Sequence, residues 1–389
     1  MKKTLLAAAL MGIMGSASAA DSDRITDLEK QVKRLKNESS WADNVKISGF
    51  GSVGVGKANN GAGYAHYTDE RYDTNIDSIL GLQFEFKVND QAKVVTQISA
   101  SGRYDWEVDV DSAYISYDFD GFTARAGKMK APLFMFSDYV DVGYAYPMIR
   151  PSQEMYENII LSSYTGADIL IPFDIGESTL LLQPFSGNSE IKERDSSFGH
   201  TKLDMFFGLT AHLYYDDWTF RTSYITAQTA VQGLDEITDP TVGLIATTID
   251  DETASFIALG LQYDDGDLML LAEATQTTVS GDFTDVFSAY ALTGYRFGSV
   301  MPYVMVSHNQ TTDNDKRDGT ALSGLSYESM AYSLGSRWDF AQNVALKLDV
   351  TYADFGDTHG GKFSYNVDDN NQPIENDTFV YSATVDFVF

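Results

Sequence analysis

The 389-residue sequence has no cysteine, only eight prolines and five histidines, and 27 basic residues against 56 acidic ones. Without cysteine there is no disulfide scaffold, so a chain of this size must hold itself together by burial and hydrogen bonding. A formal net charge of −29 excludes a nucleic-acid partner, whose phosphates require a basic surface. No stretch reaches the ~20 continuous apolar residues of a membrane helix, and mean hydropathy is −0.21. None of His66, His200, His212, His308 and His359 lies in a nucleophile motif, so no enzyme is expected. Nothing in the sequence implies a cofactor or a resident metal. Aromatics, by contrast, are abundant, with 23 Tyr and 23 Phe.

The first residues read as a secretory signal over 1–20. A basic Met1-Lys2-Lys3 precedes an apolar stretch from Leu5 to Ile13, and the small residues of "SASAA" invite cleavage after Ala19 or Ala20. Losing Lys2 and Lys3 takes the charge from −29 to −31. Residues 21–40 carry a short helical pattern. Ile25, Leu28, Val32 and Leu35 are spaced as the seam of two heptads, and Glu29 and Lys33 form a favourable i,i+4 pair. Two heptads alone are marginal, so a coiled coil here requires partner copies; a single amphipathic helix lying on its own protein is the alternative.

From Val45 the period becomes two. Alternation predicts sixteen strands: 45–56, 77–88, 92–103, 109–119, 122–130, 158–171, 178–186, 201–215, 218–230, 253–264, 267–279, 285–297, 300–311, 327–340, 344–356 and 378–389. Most are far longer than the ~5–6 residues common in soluble domains, and they match the ~9–11 residues with which a tilted strand crosses a bilayer. Tight turns such as "DG" at 120–121, "DD" at 216–217 and "GS" at 298–299 alternate with long segments such as 57–76, 131–157, 231–252 and 357–377. The fold expected is all-β: a transmembrane antiparallel up-and-down barrel over 41–389, preceded by a short periplasmic coiled coil.

The two faces of the strands differ. Over 201–215, Leu203, Met205, Phe207, Leu209, Ala211, Leu213 and Tyr215 form a row expected to face lipid, with Asp204, Gly208, Thr210 and His212 opposite. In the last strand Phe379, Tyr381, Ala383, Val385, Phe387 and Phe389 oppose Ser382, Thr384 and Asp386. Aromatics gather beside the turns, among them Phe119, Trp218, Tyr263, Tyr295, Trp338 and Phe340, as in an interfacial girdle.

The signal, the strand pattern and the terminal aromatic strand together resemble the sixteen-stranded trimeric porins of Gram-negative outer membranes. The segment "AGKMKAPLFMFSDYVDVGYAYPMIRPSQEMY" is similar to the region those proteins carry after their fifth strand. More narrowly, the chain looks like porins with a short N-terminal coiled coil, near the phosphate- and dicarboxylate-selective group. The resemblance implies an outer-membrane location, a homotrimer, and a passive diffusion channel for small hydrophilic solutes and ions; a selective anion channel and an envelope tether are the alternatives. It also implies that loop 131–157 folds inward to narrow the pore, and that Phe389, with Phe387 and Tyr381 in its row, is the signal read by the barrel-assembly machinery.

Candidate selectivity residues are Asp138, Asp141, Arg150 and Glu154 in that loop and Arg125, Lys128 and Lys130 before it, with Arg103 on the wall. By alternation Arg125 points into the lumen while Lys128 and Lys130 would face lipid, which is costly, so a bulge or an early strand end must turn them. Arg221, Arg296, Arg337 and Lys347 are further lumen charges, facing Glu85, Asp168, Asp204, Glu273 and Asp349. The acidic outer loops suit binding of lipopolysaccharide through bridging divalent cations, or form a solvated rim.

Overall fold

A computed structural model describes residues 30, 44–157, 161–191, 200–232, 238–239, 243–244, 252–281, 284–316, 326–356 and 375–389. The signal segment and the seam residues Ile25, Leu28, Val32 and Leu35 lie outside the described residues. The chain divides into two compact units, Met1–Lys46 and Ile47–Phe389.

The second unit is a closed antiparallel barrel. Its strands are β1 (Val45–Ala58), β2 (Ile79–Lys87), β3 (Ala92–Ser101), β4 (Val108–Phe119), β5 (Phe122–Lys130), β6 (Ser163–Ile175), β7 (Ser178–Ile191) and β8 (His200–Tyr215). The other half consists of β9 (Trp218–Gln232), β10 (Glu252–Asp264), β11 (Leu268–Val279), β12 (Val286–Tyr295), β13 (Val300–Thr311), β14 (Glu328–Ala341), β15 (Val344–Asp354) and β16 (Asp377–Val388). Each strand neighbours the next in sequence, and β16 closes on β1. No sheet edge is left over, which a spanning sheet requires. Among the described residues no helix is long and apolar enough to cross a membrane.

Short turns close one end. Several depend on positive backbone φ, at Gly121 (89°), Asp216 (51°) and Asn343 (61°), as tight hairpins do. The strand expected at 158–171 runs instead over Ser163–Ile175. Pro172 is tolerated because it lies beyond the last β5–β6 pair, Thr123 with Leu170, where that side of β6 makes no ladder bonds.

The outer rows are apolar and exposed, with Val53, Leu80, Ile115, Leu259, Leu334 and Leu348 each at least 48 % accessible. Near the turns the aromatic belt is closely packed: ring centroids are 4.6 Å apart for Phe119–Phe122, 4.7 Å for Trp218–Tyr263 and 4.9 Å for Tyr295–Phe297.

Strict alternation fails at several points, two of which move expected side chains. In β8, Met205 (φ 31°) is bulged, and the register with β9 slips between Asp204 and Phe207. The bulge reverses the faces on its far side. Leu203, expected outside, packs on the interior cluster, and Asp204, expected inside, is exposed. In β5, Gly127 (φ 138°) lies directly against β4, where a Cβ would come within 2.3 Å of the Ala113 carbonyl oxygen. Pairing with β4 ends just beyond it, at Lys128 opposite Ala113.

At the seam the last strand is tied to the first. Gly49 and Phe389 exchange backbone hydrogen bonds at 2.9 Å in both directions. The rings of Phe389 and Phe387 cross Gly49 and Gly51 so closely that a Cβ on either glycine would lie 2.3 Å or 2.5 Å from a ring carbon. Tyr381 (51 %) and Phe389 (63 %) stay exposed on the outer row, while Ser382, Thr384 and Asp386 are buried inside.

Candidate functional site

The segment joining β5 to β6 does not extend away from the barrel. Its atoms bond to the inward-facing rows of most of the wall. Near its start the Pro132 carbonyl accepts hydrogen bonds from Thr210 of β8 and Ser223 of β9 (2.9 and 3.1 Å). The Met135 amide donates to Glu273 of β11 at 2.9 Å. Farther on, the Lys347 ammonium of β15 donates to the Gly143 and Met148 carbonyls, and Arg337 of β14 donates to those of Tyr144 and Tyr146. The segment then turns back: Glu154 reaches Ser307 of β13 at 2.6 Å, and Tyr156 donates to Glu273 at 2.9 Å. Three prolines and a short helix, Gln153–Tyr156, give it a fixed course.

Packing follows the anchors. Met129, Leu133, Phe134, Phe136, Met148 and Met155 are buried against Phe185, Phe206, Phe256, Leu271, Leu292 and Met305 on the inner faces of β7 to β13. This side of the lumen is filled by an apolar core. Across it, on β2 to β5, the inward residues Gln83, Glu85, Lys93, Ser99, Tyr114, Thr123 and Arg125 are half-exposed.

The candidate residues fall into several settings. Arg125 forks onto Asp168 of β6 (Nε to Oδ1 2.8 Å), which also receives Tyr164 and Gln183. Arg150 bonds Asp77 and Ser382. Arg103 is not on a strand. It sits in a 3-10 turn after β3 and holds Glu157 by two hydrogen bonds of 2.7 and 2.9 Å. Lys130 departs from the lipid-facing position that alternation gives: beyond the last β4–β5 pair its ammonium bonds Asp141. Lys128 keeps the outer row, beside Ala113, and lays its ammonium on the Val110 carbonyl at 2.6 Å. Asp138 is exposed on the 3-10 turn Ser137–Tyr139, where it sits beside Tyr139, whose hydroxyl burial pushes up to about 12, aided by the Asp138 charge.

Two carboxyls three residues apart are driven in opposite directions. Glu154 is wholly buried and accepts from the neutral groups Tyr64, Ser307 and Ser152. Burial pushes its acid above the ordinary range, and those hydrogen bonds offset only part of that. At Glu157 burial is outweighed by His66 and Arg103, which hold the carboxyl well below its usual range. Asp77 follows the second pattern: burial raises it, but the Arg150 guanidinium and the Tyr67 hydroxyl bring it lower.

Several anchors escape the sequence reading. Tyr64 and Tyr67 are buried, joined by a tight turn with Ala65 and His66 at positive φ, and their hydroxyls reach Glu154 and Asp77. Two tyrosines in a stretch otherwise rich in Gly, Ala and Asn are the one signal that this loop, too, is packed. Lys347 is fully buried against Asp386 at 3.0 Å; as a lone lysine in an alternating strand it carries no local mark of an anchor.

No protein-family model matches the chain, and no characterised relative matches it by sequence. Solved structures do match in three dimensions. An anion-selective porin from Comamonas acidovorans superposes with a TM-score of 0.58 at 13 % identity, covering 89 % of this chain and 99 % of its own. The outer-membrane channel DcaP of Acinetobacter baumannii gives 0.57 at 15 %, covering 89 % and 97 %. OmpT, an outer membrane protein of Vibrio cholerae described in a trimer form, gives 0.54 at 12 %, covering 89 % and 99 %. This chain has the fold of the outer-membrane porins, a closed barrel of sixteen antiparallel strands.

Proposed function

We propose that this protein is a porin of the Gram-negative outer membrane, a passive diffusion channel for small hydrophilic solutes and ions and not an enzyme. The carrying observation is the asymmetric lumen. A loop anchored to β8, β9, β11, β13 and β15 fills one side, while a half-exposed polar wall remains on β2 to β5. The apolar outer row and aromatic belt support a lipid surround. In this reading loop 131–157 is the constriction, and Arg103, Arg125, Lys130, Asp138, Asp141, Arg150 and Glu154 act on the pore directly or by holding that loop. Lys128, on the outer row, does not act on the pore.

Three further roles belong to the same proposal. The chain works as a homotrimer, as the trimer form of the Vibrio cholerae protein supports, with residues 21–40 as its coiled coil. The exposed Phe389, with Phe387 and Tyr381, forms the assembly signal. Acidic outer loops hold lipopolysaccharide through divalent cations.

The test is ion current. Purified, folded protein added to a planar bilayer should give stepwise conductance increments, ohmic at low voltage and without hydrolytic activity. Insertion without current would sink the channel reading. Deleting Phe389 should impair assembly far more than it alters the conductance of channels that do form.

A further inference from the structure

We infer that the open side of the lumen favours cations, and that Asp111 and Asp138 set the preference. This rests on the channel reading above and adds the sign of the solutes it passes. Basic side chains on the wall would draw anions only if their charge were free. Almost every one already touches a carboxylate of its own: Lys93 lies 3.7 Å from Glu85, Arg125 forks onto Asp168, Lys130 bonds Asp141, and Lys347 lies 3.0 Å from Asp386. A close pair is a dipole, whose field fades faster with distance than that of a single charge.

Arg221 makes no such pair. It is only 5 % exposed, donates through Nε to His212, and has one terminal nitrogen enclosed without a hydrogen-bond partner. The charges of Glu273 and Asp138 oppose it through space. A guanidinium so enclosed is in no position to coordinate a passing anion.

Among the described residues, Asp111 and Asp138 are carboxylates near the loop with no ion pair; Asp118, at the turn end of β4, accepts from the neutral Thr123 at 2.7 Å and is exposed. Asp111 is the bulged residue of β4, between Val110 opposite Ile98 and Ser112 opposite Gln97. Its oxygens accept from neutral donors, Gln97 Nε2 at 3.1 Å and Ser99 Oγ at 3.0 Å. Lys130 acts on Asp111 through space but has its contact with Asp141. Asp138 is exposed on the inward loop, with Arg125 and Arg221 acting on it only through space. Arg125, Lys130 and Arg221 thus answer for Asp168, Asp141 and Glu273, which leaves Asp111 and Asp138 over.

The experiment is the reversal potential of single channels across a KCl gradient. The wild-type potential should carry the sign of K⁺ over Cl⁻. Asp111→Asn and Asp138→Asn should each lower the permeability ratio by roughly threefold, as losing a unit charge ~7 Å from an ion in water would. The double variant should approach no preference, and Asp138→Lys should reverse it without disturbing packing, since that side chain is exposed. Asp90→Asn, on the exposed β2–β3 turn, is the control and should leave the ratio alone. A chloride-preferring wild-type channel, or ratios unmoved by the two substitutions, would overturn the inference. Absence of any current counts against the channel reading itself and takes this inference with it.

Discussion

The two sides of the barrel interior are built on opposite principles. Along β7 to β13 the inner wall carries an apolar cluster interspersed with buried hydrogen-bonding groups such as Thr210, Ser223, Glu273 and Ser307, and the loop after β5 seals it like the second layer of a soluble protein's core. Along β2 to β5 the wall is mostly polar, with Gln83, Lys93 and Arg125 half-exposed; Lys93 and Arg125 sit in ion pairs, whereas Asp111 is held by Gln97 and Ser99. A barrel this wide cannot fill itself with its own wall side chains. The loop therefore supplies an interior on one side and leaves the other side of the lumen uncovered. In the proposed channel, stability and permeation fall to different strands of one sheet.

The largest loss of stability is expected at Lys347. Replacing it with Met leaves Asp386 buried and unpaired and frees two loop carbonyls, and should cost about 3–5 kcal/mol. Urea unfolding in lipid checks this, and conductance should become noisier as the loop loosens. Next comes Met155→Ala, which removes a fully buried side chain from the packed side; about 2–5 kcal/mol is expected in the same assay, with ion selectivity unaltered.

A smaller effect separates Glu154 from Glu157 by pH. Glu154 has its folded pKa raised above the ordinary 4.5, so its protonated form favours folding. That contribution is complete below the unfolded pKa and is lost as pH rises through the folded one. Glu157 is lowered, so its ion pair with Arg103 contributes above the unfolded pKa and fades as pH falls below about 4.5. Unfolding midpoints measured from about pH 3 to 8 should therefore change with pH in opposite senses for Glu154→Gln, above about 4.5, and Glu157→Gln, below it; curves that move together would refute the assignment. Smallest of all, Gln83→Ala on the open side should change stability by no more than about 0.5 kcal/mol. A measured loss as large as that at Met155 would mean that this side, too, is packed.

Much of the fold was legible because it is local. A strand's two faces follow from its own period of two, so the row from Phe379 to Phe389, the strand count and the turn residues could be read without knowing any partner. The candidate site was legible only in part. The resemblance placed the loop after β5 inside the barrel, its Phe134, Phe136, Tyr139, Tyr144 and Tyr146 suit a packed loop, and Arg125, Lys130, Arg150 and Glu154 do lie on or under it. What could not be read were the points where locality fails. The bulge at Met205 exchanges the faces of Leu203 and Asp204 with no glycine to announce it, and Lys130 turns inward beyond the end of its strand's pairing with β4.

Pairing was the least legible of all. Lys347 and Gly143 are separated by 204 positions, and Glu154 and Ser307 by 153; no local pattern connects them. Alternation, turn chemistry and charge determined by themselves that this chain is a barrel with an apolar outside and a polar lining, because each depends on residues within a few positions of one another. Which side of that lining is sealed, which cations are cancelled and which carboxylates remain were decided only when the sheet closed and brought β15, β16 and β1 against a loop from the middle of the chain. Burial and electrostatic pairing depend on distance in space, and only the closed barrel sets those distances.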